Sequence, residues 1–315
     1  MKEKLLWVVG GLSAIAVFVL CFIAINYVSQ PDGPKEVEVE DVVIATNHTN
    51  AALINIAQKQ AWIEQGANEM TSVDASKVKE LGTAFQGSQL ESFDEFRYFI
   101  GVQEIHADAF AHSELLKRIT IPANVMTIDY GALADCPALQ EIKVDTANTH
   151  YDSREDCHGI ICTWKGSLML VAGCANTNIP KAVNYIAPQA FKGCSAMKGI
   201  TLPERLKEIG EEAFRDCDGL TEIDIPQGVR FVEKSTFEGC TALTTVTLPK
   251  SMERLRKDAF KGCTSLRTIN CMKKFPPVIE DAFDVYQATV YVPEGKQNRY
   301  YADHYWKDFP RVEEK

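Results

Sequence analysis

The chain lacks the short signatures of familiar chemistry. It has no G-x-x-x-x-G-K-[ST] phosphate loop, no H-E-x-x-H zinc helix, no G-x-S-x-G nucleophile turn and no G-x-G-x-x-G dinucleotide turn. Histidine is scarce too, with six residues scattered through the linker, the coil edges and the tail, none beside a candidate nucleophile. These absences point away from an enzyme and name no cofactor and no metal. An excess of positive charge is also missing. Thirty-three Lys and Arg stand against 43 Asp and Glu, a formal net charge of −10. That argues against nucleic acid, whose phosphates need a basic face.

What the chain has instead is a period. Read in steps of 23, the segments beginning at Val183, Leu206, Val229 and Met252 superimpose without a gap, as I-x-x-x-A-F-x-x-C-x-x-L-x-x-I-x-[IL]-P. Phe191, Phe214, Phe237 and Phe260 form one column. Cys194, Cys217, Cys240 and Cys263 form a second, Met197, Leu220, Leu243 and Leu266 a third, and Ile200, Ile223, Val246 and Ile269 a fourth. One such unit cannot bury its apolar side alone, so neighbours must stack into a leucine-rich repeat solenoid. The tetrad Ile223-Asp224-Ile225-Pro226 alternates like a strand with one buried face, and Pro226 ends it. The expectation is one short parallel strand per coil, with rungs about 4.8 Å apart. Short helical turns carrying the Ala-Phe pair should close the other side.

The unit Leu206-Lys207-Glu208-Ile209-Gly210-Glu211-Glu212-Ala213-Phe214-Arg215-Asp216-Cys217 resembles the BspA-like leucine-rich repeat proteins, found mostly on bacterial cell surfaces. The resemblance covers residues 60 to 312 or so. It implies a binding or adhesion architecture and no particular ligand, since a fold does not by itself fix function.

Upstream of the repeats, Leu5 to Val28 is a run of 24 residues without charge. As a helix this run reaches about 36 Å, enough for a hydrocarbon core of roughly 30 Å. A cleaved signal peptide should have a shorter apolar region and a small-x-small site, which is not found. Lys2 and Lys4 precede the run, whereas Asp32, Glu36, Glu38, Glu40 and Asp41 follow it. The positive-inside rule then keeps the N-terminus cytoplasmic and sends the repeats outward, to a periplasm or cell surface. The expected map is a cytoplasmic stub at 1–4, a transmembrane anchor at 5–28 and a tether at 29–50. A helical hairpin at 51–82 and the repeat domain at 83–312 follow, with an insertion near 145–180.

In the hairpin, helices are expected over Ala51–Gln65 and Asp74–Leu81. Similar proteins often carry an EF-hand-like calcium loop here, and its twelve positions fall on Ile63 through Asp74. Two ligand positions, Ile63 and Ala67, are apolar, so the resemblance is to a degenerate EF-hand that has lost its metal. Phe110 and Leu133 continue the phenylalanine column, and the 58 residues from Leu133 to Phe191 equal one period plus 35. Within that insertion, residues 159–170 read as two strands around Lys165-Gly166. The last coil starts at Phe275 and places Phe283 in its column. Tyr291-Val292-Pro293 should supply a final strand, and Glu294–Lys307 a capping helix with Tyr301, Tyr305 and Trp306 at helical spacing.

The cysteine column reads as packing, because side chains stacked in one direction do not readily supply the near-perpendicular disulfide dihedral, and Ser113 fills the equivalent place. Cys157, His158, Cys162 and Cys174 match no zinc knuckle, and a Cys157–Cys174 or Cys162–Cys174 disulfide stays open. The outward strand positions make two polar files. They comprise Arg118 and Thr120, Glu141 and Lys143, Gly199 and Thr201, Glu222 and Asp224, Thr245 and Thr247, and Thr268 and Asn270. Such files suit a protein or glycan ligand and equally a solvated face. Tyr185 and Phe231, two rungs apart, are expected to be exposed on the opposite side. Two functions follow: a membrane-anchored interaction protein, or a structural envelope spacer without a specific ligand.

Overall fold

In the computed structural model, which describes residues 40–315, Glu40–Lys315 forms one compact unit. The repeat dictates the path of each coil. A strand ends at Pro226, whose carbonyl accepts the Val229 amide at 3.0 Å to turn the chain, and Pro203 and Pro249 do the same for Leu206 and Met252. Strands Glu222–Asp224, Thr245–Leu248, Thr268–Cys271, Thr289–Val292 and Arg311–Glu314 lie parallel in that order. Over the first three strands the register is one period, so Glu222 stands opposite Thr245 and Thr245 opposite Thr268, whereas the last two steps are shorter, with Thr268 opposite Thr289 and Thr289 opposite Arg311.

Each coil also has a second strand, where one was expected. Phe231–Val232, Arg254–Leu255 and Val278–Ile279 form a second parallel sheet. Two residues are too few to display alternation, so the period-two signal is silent there.

The Ala-Phe side closes by turns, not helices. Two left-handed residues flank each phenylalanine from Phe191 to Phe260, and one precedes Phe283. Gln189, Glu212, Ser235, Asp258 and Asp281 stand two before it, and Gly193, Asp216, Gly239 and Gly262 two after it. At Gly239 the need is steric as well, since a Cβ would meet Asp216 Oδ1 at 2.1 Å. Inside, Phe191, Phe214, Phe237, Phe260 and Phe283 stack with centroids 5.0, 5.4, 5.4 and 5.2 Å apart. Their planes deviate by no more than 11°. The cysteine column is a row of donors. Cys217, Cys240 and Cys263 point Sγ at the carbonyls of Phe191, Phe214 and Phe237 at 3.2, 3.1 and 3.2 Å. Ser113 donates to Phe85 at 2.9 Å in the same way. A small side chain carrying one donor is what the position requires, because a buried carbonyl left partly unsatisfied is costly.

The insertion enters one face and bypasses another. On the phenylalanine side the Asp135 amide bonds directly to the Lys192 carbonyl at 2.8 Å, joining coils that the sequence separates. The extra residues form the expected hairpin, Ile160–Trp164 with Ser167–Ala172, antiparallel around Lys165 (φ 48°) and Gly166 (φ 73°). Ser167–Ala172 pairs in parallel with Val183–Ile186, so the hairpin is spliced into the second face.

Both ends depart from expectation. The tether's last residues hold a strand, Val43–Thr46, antiparallel to Glu69–Thr71. The first helix spans Ala51–Lys59 and stops short of Gln65, and the second spans Ser72–Lys77, not Asp74–Leu81. Thr71 and Asp74 form a capping box, which sets that start, and Val78 turns extended, which sets the stop. At the C-terminus the expected single helix is a short one, Gln297–Tyr301, then a 3₁₀ turn at Trp306–Asp308 and a further parallel strand, Arg311–Glu314. Asp303 Oδ1 accepts the Tyr305 and Trp306 amides at 3.0 and 3.3 Å, interrupting the helix. Tyr305 and Tyr301 are exposed, while Tyr300, Trp306 and Phe309 are buried. Phe275 is a further correction. It is 60% exposed although Met252, one period earlier, is fully buried. Val278 pairs with Arg254, 24 residues back, so this coil carries one extra residue ahead of the strand and the phase slips. Trp306 packs there instead, its indole N–H donating to the Pro277 carbonyl at 2.8 Å.

The expected cytoplasmic stub and transmembrane anchor, and the tether as far as Val39, lie outside the described residues. Among the described residues no helix is long and apolar enough to cross a membrane.

Candidate interaction face

The polar files resolve into two separate patches, not one face. The first is the sheet of Ser92–Phe93, Arg118–Ile121 and Glu141–Val144. Here the charges are spent on one another. Arg118 Nη2 lies 2.8 Å from Asp94 Oδ2, and Lys143 Nζ lies 2.7 Å from Glu141 Oε1. The hydrogen bond from Lys143 holds the Glu141 carboxyl below its ordinary range, and the bond to Asp94 raises the Arg118 guanidinium. His158 Nδ1 approaches Glu141 at 4.0 Å from the insertion.

The second patch is the five-stranded sheet. One file is Glu222, Thr245, Thr268, Thr289 and Arg311; the other is Asp224, Thr247, Asn270, Tyr291 and Glu313. Asn270 Nδ2 donates to Thr247 Oγ1 at 3.4 Å, and Arg311 faces Glu313 at 3.7 Å. Glu222 and Asp224 are exposed, and among the described residues no ion pair engages either one. The strand at Tyr291-Val292 is the one expected, but Thr289, Tyr291, Arg311 and Glu313 were not placed in these files, because the pattern fades after Phe283 and only pairing sets their register.

Between the patches, Gly199 and Thr201 belong to no strand. Ile200 is half-buried where its column mates Ile223, Val246 and Ile269 are buried. Glu222–Asp224 is therefore an edge strand, and the nine strongest candidates divide three and six. The expectation that Tyr185 and Phe231 are exposed is also corrected. Both are half-buried, Tyr185 against Trp164 and Phe231 beneath the guanidinium groups of Arg230 and Arg256.

The cysteines offer no chemistry. All nine described are buried and free, so neither candidate disulfide forms. Burial pushes the Cys136, Cys162, Cys194 and Cys263 thiols up to about 12, which keeps them protonated and unreactive. Among the described residues no group of three or more His, Cys, Asp or Glu is placed to hold a metal ion. Asp74, at the twelfth position of the calcium-loop alignment, accepts the Thr71 amide at 3.0 Å instead.

The pattern of the BspA type leucine rich repeat region matches in six copies, over residues 69–155 and 172–288. The chain belongs to this family. The unmatched residues 156–171 take in one strand of the inserted hairpin and most of the other, so the BspA-type repeats and the coils of the structure agree on what is foreign to the period. Among solved structures, the pneumococcal vaccine antigen PcpA is similar at 18% identity with a TM-score of 0.51, covering 69% of this chain and 66% of that one. A leucine rich cell surface protein from Faecalibacterium prausnitzii is similar at 19% identity with a TM-score of 0.47, covering 68% and 57%. A leucine-rich repeat protein from Eubacterium ventriosum has 22% identity, a TM-score of 0.44 and coverage of 59% and 55%. At such identities the likeness to PcpA speaks for the solenoid fold alone, and the chain spans under two thirds of the length of each. No curated protein matches the chain.

Proposed function

We propose that this BspA-type protein is a non-enzymatic, membrane-anchored interaction protein that holds a protein or glycan ligand on its second polar patch, outside the cytoplasm. The observation that carries the reading is the five-rung sheet whose polar files begin with two exposed carboxylates, Glu222 and Asp224, that no ion pair engages among the described residues. The first patch has already consumed its charges in internal pairs, whereas these two carboxylates are available to a cationic or hydrogen-bond-donating partner. The uncharged run from Leu5 to Val28, with lysines before it and carboxylates after it, supports the anchor and its orientation.

Two measurements test this. Immobilised residues 40–315 should retain a surface protein or glycan saturably. The double charge reversal E222K/D224K should weaken that retention at least about tenfold without lowering Tm, since both side chains are exposed. Unchanged retention removes this patch, and no saturable capture at all favours an envelope spacer. A tag at Lys315 should be protease-accessible on intact, unpermeabilised membranes, and protection there overturns the orientation.

A further inference from the structure

The outer strand of a parallel sheet has no neighbour on one side, and its open backbone groups template pairing with another chain unless something covers them. In the five-stranded sheet that strand is Arg311–Glu314, paired on its inner side with Thr289–Val292. The Lys315 amide donates back to the Val292 carbonyl at 2.9 Å. By alternation Val312 and Glu314 turn their N–H and C=O groups outward. Those of Val312 are nevertheless engaged. Its N–H donates to Tyr301 Oη at 3.1 Å, and its carbonyl accepts from Gln297 Nε2 at 2.6 Å and from the Tyr301 hydroxyl at 3.4 Å. Both side chains come from the short helix Gln297–Tyr301, where a spacing of four sets them on one face. The Gln297 amide latches that helix to the strand by donating to Glu314 Oε1 at 3.0 Å. Pro310, just ahead of the strand, has no N–H to offer. The outer strand of the second sheet is closed in a similar way, since Val278–Ile279 follows Pro276 and Pro277 and the Trp306 indole N–H donates to the Pro277 carbonyl.

Gln297 and Tyr301 thus supply to Val312 the acceptor and donors that a further strand would bring. The Tyr301 ring is itself exposed, so its hydroxyl, not its packing, is what the position uses. Beneath this cover the edge is complementary to itself. Laid antiparallel on a second copy with Val312 at the two-fold axis, the two Val312 residues exchange N–H···O bonds. Arg311 then stands opposite Glu313 of the second copy, twice over, and opposite charges across a strand pair attract. Val312 is buried, so its backbone groups left without partners are costly and a pairing strand relieves them. We propose that Gln297 and Tyr301 are an edge guard that keeps two of these solenoids from joining strand to strand, and that the partner taken when the guard is lost is a second copy of this chain. The guard lies at the last rung and involves neither Glu222 nor Asp224, so this inference and the proposed function can fail separately.

The test compares full chains in detergent by light scattering, with the protein mass resolved from that of the micelle. Q297A/Y301F should approach double the parent's protein mass at equal concentration, with the far-UV circular dichroism of the parent. Adding R311E, which sets like charges across the paired register, should restore the parent's mass. Should the double variant misfold, Tyr301→Phe keeps the ring and removes only the hydroxyl. In dilute Tyr301→Phe the Val312 amide should exchange hydrogen at least about tenfold faster than in the parent, while the Lys315 amide, bonded into the sheet, keeps its rate. The inference is overturned if Q297A/Y301F folds but keeps the parent's mass, if R311E leaves its association intact, if R311E dissociates the parent itself, or if Val312 exchanges no faster in Tyr301→Phe.

Discussion

The phenylalanines between Phe191 and Phe283 and those between Phe85 and Phe110 bury the same side chain in two different ways. In the repeats each ring sits nearly parallel to its neighbours, with planes within 8 to 11°. At the N-terminal end Phe85, Phe93, Phe96, Phe99 and Phe110 pack at angles from 8 to 76°, most of them tilted or edge-on. Trp62 closes over Phe85 and Phe99 at 5.8 and 5.7 Å. A periodic stretch needs one local solution, which each coil inherits from the last. An end has no next coil, so a compact cluster must replace the missing neighbour.

That contrast can be broken most severely at the other end. Deleting residues 293–315 removes Tyr300, Trp306, Phe309 and the last strand of the sheet, all of which cover the final coil. The truncated protein should aggregate on size-exclusion chromatography, and a soluble, cooperatively unfolding product would count against the cap. Next in size, Phe237→Ala should cost about 3 to 5 kcal/mol in denaturant unfolding. The two regions should then differ in additivity. Phe191 and Phe260 are separated by two other rings, so their alanine substitutions should add within about 0.5 kcal/mol. Phe93 and Phe96 touch at 5.0 Å and should couple by about 0.5 to 3 kcal/mol. Equal coupling in both pairs would erase the distinction. Smallest is the donor column. Cys240→Ser should unfold close to the parent because Ser113 already does this work, whereas Cys240→Val should lose about 1 to 3 kcal/mol by leaving the Phe214 carbonyl short of a donor. Equal losses would reduce the column to packing.

The sequence is most legible where residues repeat. The phenylalanine, cysteine and leucine columns, the isoleucine column apart from Ile200, and the hairpin around Lys165-Gly166 stand where period and turn chemistry put them. The cysteine column is legible in sequence only as packing, and its donor role is not, because the accepting carbonyl lies 26 residues away in a neighbouring coil. The left-handed positions carried a partial signal, the glycines at 193, 239 and 262, which Asp216 obscures. The second sheet escaped because its strands are two residues long. The candidate residues were legible as outward strand positions, but the structure divides them between two sheets and does not join them in one surface. Nothing in Gly199-Ile200-Thr201 announces that this rung stays outside the sheet, and nothing near Arg118 or Glu141 tells that Asp94 and Lys143 neutralise them.

A 23-residue period with four apolar columns determines a stacked solenoid by itself, because no single unit can cover its own apolar side. Which rungs join into one sheet, which carboxylates keep a free valence and where Trp164 meets Tyr185 were decided only in three dimensions. Each depends on contacts between coils whose residues lie a period or more apart, and sequence order states the period but not the pairing across it.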